Sequence, residues 1–262
     1  MMAEIIDRPQ VKKDCKGLLR SAQVDPRAFT AFYLAVILVL GLLNAFTAGD
    51  TYPPSAPAIF VSVLTFLMSL VLSVGFVFYC MAVRRGERAE YLTLFDGFSF
   101  VGRIILLYLV ESFFVLLWSM LLIVPGIVAA YRYRFAVYNL CENPGMGVMD
   151  AIAMSKQQTL GYKSQLFLLD LTYLGWGILA QLPDLFFYSQ DLAVRYNAAA
   201  VSLPSAPVQA LLSGVWLLVV SIFYLPVYQC AELSYFDTSK RTSGVGTESG
   251  DSGSRPYEDG EF

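Results

Sequence analysis

The chain has 262 residues, of which 56% are hydrophobic and only 15% charged, and its mean hydropathy is +0.57. A soluble globular domain holds about 25% charged residues, so this composition excludes an ordinary water-soluble globule and points to a bilayer. A net charge of -3 gives no footing for nucleic acid, and a chain without histidine lacks the usual neutral-pH proton shuttle and the commonest metal ligand.

In chain order, residues 1–27 form a polar segment carrying Arg8, Lys12, Lys13, Lys16, Arg20 and Arg27. The apolar run that follows is longer than the about 7–15 residues of a signal-peptide core, so it reads as a retained first span. Runs near or above the about 20 residues that cross hydrocarbon lie at Ala28–Thr47, Ala58–Val83, Ile104–Val124, Leu166–Phe187 and Val208–Tyr235. The last contains Pro226, which is expected to kink its helix by removing a backbone hydrogen bond.

A sixth segment, Gly126–Cys141, is contested because it carries Arg132 and Arg134. Lysine and arginine concentrate in cytoplasmic loops, which puts the N-terminal segment and the connection with Arg84, Arg85 and Arg88 inside. If Gly126–Cys141 crosses back, Lys156, Lys163, Lys240 and Arg241 also fall inside; if it does not, the charge rule is inverted. The expectation is therefore an all-α, polytopic transmembrane helical bundle of about six spans, arranged as three hairpins with cytoplasmic interfacial helices. Its membrane domain runs over 28–237, its third and fourth spans turn at Pro125–Gly126, and both termini lie on the cytoplasmic side of the inner membrane.

Each predicted hairpin is led by a polar or amphipathic stretch, "VKKDCKGLLRSAQVDPRAF", "RAEYLTLFDGFSFVGR" or "GVMDAIAMSKQQTLGYK". In the third, Met149, Ile152, Ala153 and Leu160 can share one helical face. The pattern suits a threefold repeat of interfacial helix plus hairpin, and equally any hairpin protein with basic inner loops. Residues 238–262, rich in Ser, Gly and acids, cannot bury a core and read as a disordered cytoplasmic tail. The four cysteines show no paired-ligand spacing and read as small buried apolar side chains. Gly41, Gly175 and Gly177 read as sites of close helix packing. No phosphate loop, dinucleotide fingerprint or nucleophile elbow is present.

The charged residues inside apolar runs are the candidate site, because a charge at membrane depth faces a partner, water or the bundle interior. At 1.5 Å per residue, Glu111, Arg134 and Asp170 share one layer of the inner leaflet, with Glu232 near its rim. Arg132, about 200° around the helix from Arg134, faces elsewhere. Two readings follow. The charges pin helix packing, or an arginine holds a lipid phosphate or a carboxylate within a wall of Tyr131, Tyr133 and Tyr138.

The stretch "PGIVAAYRYRFAVYNLCENP", followed by Ala151-Ile152, Ser155-Lys156, Gly161, Lys163, "LFLLDLTYLGW" ending at Trp176, and "LPVYQCAELSYF", resembles an uncharacterised family of bacterial multi-span membrane proteins, domain of unknown function 975. The resemblance covers about residues 10–237, with Tyr162 where a histidine would be expected. It implies a helical integral protein of the cytoplasmic membrane with no assigned activity. A more distant likeness to membrane domains attached to some glycerophosphodiester phosphodiesterases hints at lipid or envelope biology. The functional expectation is a non-enzymatic protein without cofactor that organises or binds membrane lipids or a membrane partner, such as another protein or a second copy. The alternative is a small transporter or permease subunit for an anionic or amphipathic solute.

Overall fold

The computed structural model describes residues 4–48, 55–196 and 204–246. Residues 1–3, the centre of the first connection (49–54), residues 197–203 and the tail residues 247–262 lie outside the described residues.

Prolines set the helix starts. Helix α1 (Arg8–Arg20) has Pro9 in its first turn, α2 (Pro26–Ala48) begins on Pro26, and α3 (Ala56–Arg85) has Pro57. In a first turn the missing N–H is one that the helix could not have satisfied. Ser55 caps α3 by accepting from the Ala58 N–H at 3.4 Å. The helix ends at Gly86, whose φ of +70° suits glycine, with Arg84 and Arg85 placed favourably in the last turn. A 3-10 helix (Tyr91–Phe100) leads into α4 (Val101–Leu121), followed by α5 (Ile123–Tyr133), α6 (Ala136–Glu142), α7 (Val148–Gln158), α8 (Lys163–Arg195) and α9 (Ala206–Ser243). No strand occurs among the described residues. Five stretches are long and apolar enough to cross a membrane: Pro26–Thr47, Ala56–Arg85, Tyr91–Leu121, Lys163–Ala193 and Ala206–Ser243. The all-α polytopic bundle is therefore as expected, while the contested segment is two short helices of 11 and 7 residues, neither long enough to be counted with them.

Several boundaries differ from expectation. The turn between α4 and α5 sits at Leu122, which is extended (φ -162°, ψ 149°), and not at Pro125–Gly126. Pro125 falls in the first turn of α5, where it is tolerated, and Gly126 lets α5 close on Ser119, whose side chain a Cβ would overlap. Helix α9 runs through Pro226 and on to Ser243, beyond the expected limit at 237, because residues 230–239 pack against the core instead of leaving it. On α7 the buried stripe is Val148, Ala151, Ile152, Ser155 and Gln158, with Met149 and Leu160 exposed, so the predicted face is displaced. A Cβ at Gly41, Gly175 or Gly177 would meet nothing within 4 Å. Close packing is instead served by Gly75, where it would overlap Leu94 O, and Gly97, where it would come 2.9 Å from Val71 O. All four cysteines are free and buried.

The long helices register by a few contacts. Helix α2 runs antiparallel to α9, with Arg27 over Phe223 (5.9 Å) and Leu38 against Gly214. Helix α8 runs antiparallel to α9, with the Trp216 indole donating to Leu179 O at 2.8 Å and Trp176 stacked on Tyr224 at 6.0 Å. Helix α3 is tied to the start of α2 by Tyr79, whose hydroxyl donates to Val24 O at 2.8 Å. The core is gathered at one end. Tyr79, Cys80, Phe135, Leu140, Ile152, Tyr162, Tyr235 and Phe236 are all buried there, whereas Leu43, Phe46, Phe60, Leu64, Leu185 and Leu212 at the other end are exposed.

Candidate functional site

The site begins with a helix break. Between α5 and α6 the ladder is interrupted at Arg134 and Phe135, freeing the Phe135 N–H and the Arg132 carbonyl. Ser155 of α7 serves both: its Oγ accepts from Phe135 N–H at 3.1 Å and donates to Arg132 O at 2.9 Å, with Thr159 Oγ1 3.2 Å from the same carbonyl. Four residues past Phe135, Asn139 of α6 and Gln158 of α7 pair reciprocally through their amides at 2.9 Å in each direction. Helix α7 thus satisfies the buried polar groups of the break, each of which would otherwise cost about 1–3 kcal/mol.

The break turns Arg134 toward α8 and α9. Its Nη1 and Nη2 donate to the two oxygens of Asp170 at 2.6 and 3.0 Å, its Nε donates to Glu232, and Nη2 also meets the Tyr228 hydroxyl. Asp170 accepts further bonds from Tyr131 (2.6 Å) and Tyr228 (2.8 Å). The Tyr131 ring lies 5.4 Å from the guanidinium carbon. This is a bidentate, charge-assisted arrangement, and Glu232 is only 4% exposed. Of the five N–H donors of the guanidinium, four are engaged: Nε by Glu232, one on Nη1 by Asp170, and both on Nη2 by Asp170 and Tyr228.

The expected network is therefore redrawn. Arg134 and Asp170 pair as predicted, and Glu232 belongs at the centre and not at the rim. Glu111 is not a member: half-buried on α4, it faces a groove of about 670 Å³ with Tyr108, Ser112 and Ser119 and has no ion-pair or hydrogen-bond partner among the described residues. A shared position along the helix axis fixes height but not direction, and Arg134 points away from α4. Of the expected aromatic wall Tyr131 stands against the arginine. Tyr133 packs on Phe114 (5.9 Å), and Tyr138 accepts from Gln229 at 2.8 Å. Arg132 is exposed, as its angular position predicts.

Helix α2 starts at Pro26, and the Arg27 guanidinium lies 5.9 Å from the Phe223 ring, whereas Tyr228 and Glu232 follow five and nine residues further along α9, about 8 and 14 Å away.

The remaining singled-out residues have structural duties. Lys156 Nζ sits 5.7 Å from the Tyr133 ring and 6.0 Å from that of Phe114. Gly161, at φ +84°, makes the turn between α7 and α8 that only glycine adopts freely. Lys163 opens α8, and Trp176 is partly exposed on its flank. Tyr162, in the place where a histidine was expected, is buried and its hydroxyl accepts from Glu4 N–H at 3.2 Å and lies 3.0 Å from Thr242 Oγ1. It joins the N-terminal segment to the end of α9.

Two clusters were not legible in the sequence. Arg84 pairs with Asp237 and donates to Ser234 (2.6 Å), and Glu142 bridges Arg85 (3.0 Å) and Lys240 (2.5 Å) at the mouth of a cavity of about 760 Å³. Their members are too far apart in the chain for any local pattern to pair them. Among the described residues no group of side chains could hold a metal ion.

Residues 120–242 match the family described as protein of unknown function (DUF975). No curated protein and no solved structure matches the chain. The matched region contains Ser155 and every member of the Arg134 network.

Proposed function

We propose, from the premise that residues 120–242 belong to the DUF975 family, that this integral membrane protein is non-enzymatic and organises or binds lipid or a membrane partner. The observation that carries this reading is the pairing of Arg134 with Asp170 and Glu232, which with Tyr228 engages four of its five N–H donors inside the protein. The layer joins α5, α8 and α9 to one another. Working contacts then belong to the outer surfaces, where the long helices carry exposed leucines and phenylalanines and the helix ends carry cations. Because α4 and α5 form a hairpin, the chain returns to the side from which α4 set out. This agrees with a multi-pass protein of the cytoplasmic membrane whose two termini share the basic side.

Native mass spectrometry of the protein taken out in lipid discs tests the reading. A defined lipid or protein retained in fixed ratio is expected; bulk lipid alone, together with solute flux in proteoliposomes, would sink it. For topology, a cysteine placed at Gly145 should react only from the cytoplasmic side.

Glu111 favours a second reading. A carboxylate without an ion-pair partner, facing a groove between α4 and α5, is what a small transporter for an amphipathic solute would place on its path. Flux abolished by Glu111→Gln with folding intact would move this reading ahead.

A further inference from the structure

A second cavity of about 760 Å³ lies between the α1–α2 elbow and the α8–α9 pair. The elbow is fixed by local bonds: Ser21 Oγ donates to Leu18 O at 2.8 Å, and Asp25 Oδ1 accepts from the Arg27 N–H at 3.0 Å. Lys16 and Arg20 at the end of α1 and Arg27 at the start of α2 line its rim. All three are exposed, and none forms an ion pair among the described residues. The one acid on the wall, Asp25, is engaged in holding the start of α2. Opposite the cations stand Trp176, Phe223, Pro226 and Val227, an apolar wall.

The contrast with the equally large cavity at Arg85 and Lys240 decides what this one can hold. There, Glu142 bridges both cations and leaves one net positive charge. Here three cations and Asp25 leave two, none of the cations is ion-paired among the described residues, and an apolar wall stands opposite, so the fitting occupant is anionic at one end and apolar at the other. Arg27 level with Phe223 puts this boundary where α2 begins its apolar run, and a tryptophan beside it is the residue type enriched at membrane–water interfaces. Arginines recognise phosphate through forked N–H pairs, and basic residues at this depth attract anionic lipid. A zwitterionic headgroup would bring its own ammonium against three cations.

We propose that this cavity seats one anionic phospholipid, with its phosphate on Lys16, Arg20 and Arg27 and its acyl chains along Trp176 and Phe223. The proposal rests on the membrane reading above and is independent of the Arg134 layer.

The test is native mass spectrometry of the full chain, delipidated in detergent and titrated with phosphatidylglycerol or phosphatidylcholine. The wild type is compared with the triple variant Lys16→Gln, Arg20→Gln, Arg27→Gln. A charge-matched control, Lys13→Gln, Arg88→Gln, Arg103→Gln, removes exposed cations outside the cavity. One phosphatidylglycerol per chain is expected, bound at least about tenfold more weakly by the triple variant, since each basic residue near anionic lipid is worth several-fold. The control should match the wild type. Equal binding of both lipids by the wild type, or an unchanged triple variant, overturns the proposal. Displacement by equimolar inorganic phosphate overturns it too, assigning the site to a free phosphate. Removal of the protein from membranes by an alkaline carbonate wash would instead count against the membrane reading itself.

Discussion

Leu140 on α6 has no exposed surface, whereas Leu43 on α2 is 48% exposed. The same side chain is thus used in two ways at the two ends of the molecule. At the basic end, apolar side chains close over a dense polar interior: the Arg134 network, the Asn139–Gln158 pair and the Ser155 clamp. At the other end the helices turn leucine and phenylalanine outward. Lipid tails are as apolar as leucine, so packing leucine on protein instead of lipid gains little, while an ionic layer left open to hydrocarbon costs a great deal. The difference teaches that packing density here follows the polar groups that need shelter, not the hydrophobic residues themselves.

The comparison can be broken most forcefully at Arg134. Arg134→Gln leaves Glu232 buried without its cation and should cost about 3–5 kcal/mol, toward the lower end because Arg134 and Asp170 keep some exposure. Thermal denaturation in detergent reads this, and adding Glu232→Gln should restore part of the loss. A full-strength melt in the single variant would show that the layer is not what holds the basic end together. Next comes the matched pair. Leu140→Ala should cost about 2–5 kcal/mol, and Leu43→Ala within about 0.5 kcal/mol; equal losses would erase the distinction between the ends. Gly75→Ala should cost about 1–3 kcal/mol, because the new methyl overlaps the backbone oxygen of Leu94, which cannot rotate away. The smallest effect is expected at Arg85→Gln, where the exposed arm of the Glu142 bridge is worth about 0–1 kcal/mol. High salt should abolish that difference, and a larger salt-independent loss would mean the bridge is sheltered.

Much of the fold was legible because bilayer-length apolar runs leave few alternatives. The five long helices contain the five predicted runs almost entirely, only the last three residues of Ile104–Val124 falling beyond α4, and Pro9, Pro26, Pro57 and Pro207 stand where helices begin, although Pro183 and Pro226 lie inside α8 and α9. The third predicted run ended three residues too late because Leu122, Ile123 and Val124 have nothing in their side chains to announce a turn. Only the backbone at Leu122 departs from the helix. Helix α9 overran the predicted end because Thr238 and Ser239, polar by type, are buried against the core.

Of the charged layer, the sequence selected Arg134, Asp170 and Glu232 as residues that needed an explanation, since charges in apolar company require partners. It also selected Glu111, which has none among the described residues, and it could not foresee Tyr228 as a shared ligand of both Arg134 and Asp170. Height along a helix can be counted from residue numbers. Direction depends on how α5 breaks, and that break depends on a serine hydroxyl twenty residues away. Composition and hydropathy by themselves determined a helical membrane protein, because long apolar runs satisfy their backbone polar groups in hydrocarbon only as helices. Which carboxylates meet the arginine, which glycines allow contact and which cations stay unpaired around a cavity were decided only by tertiary packing, since each joins segments with no local relation in the chain.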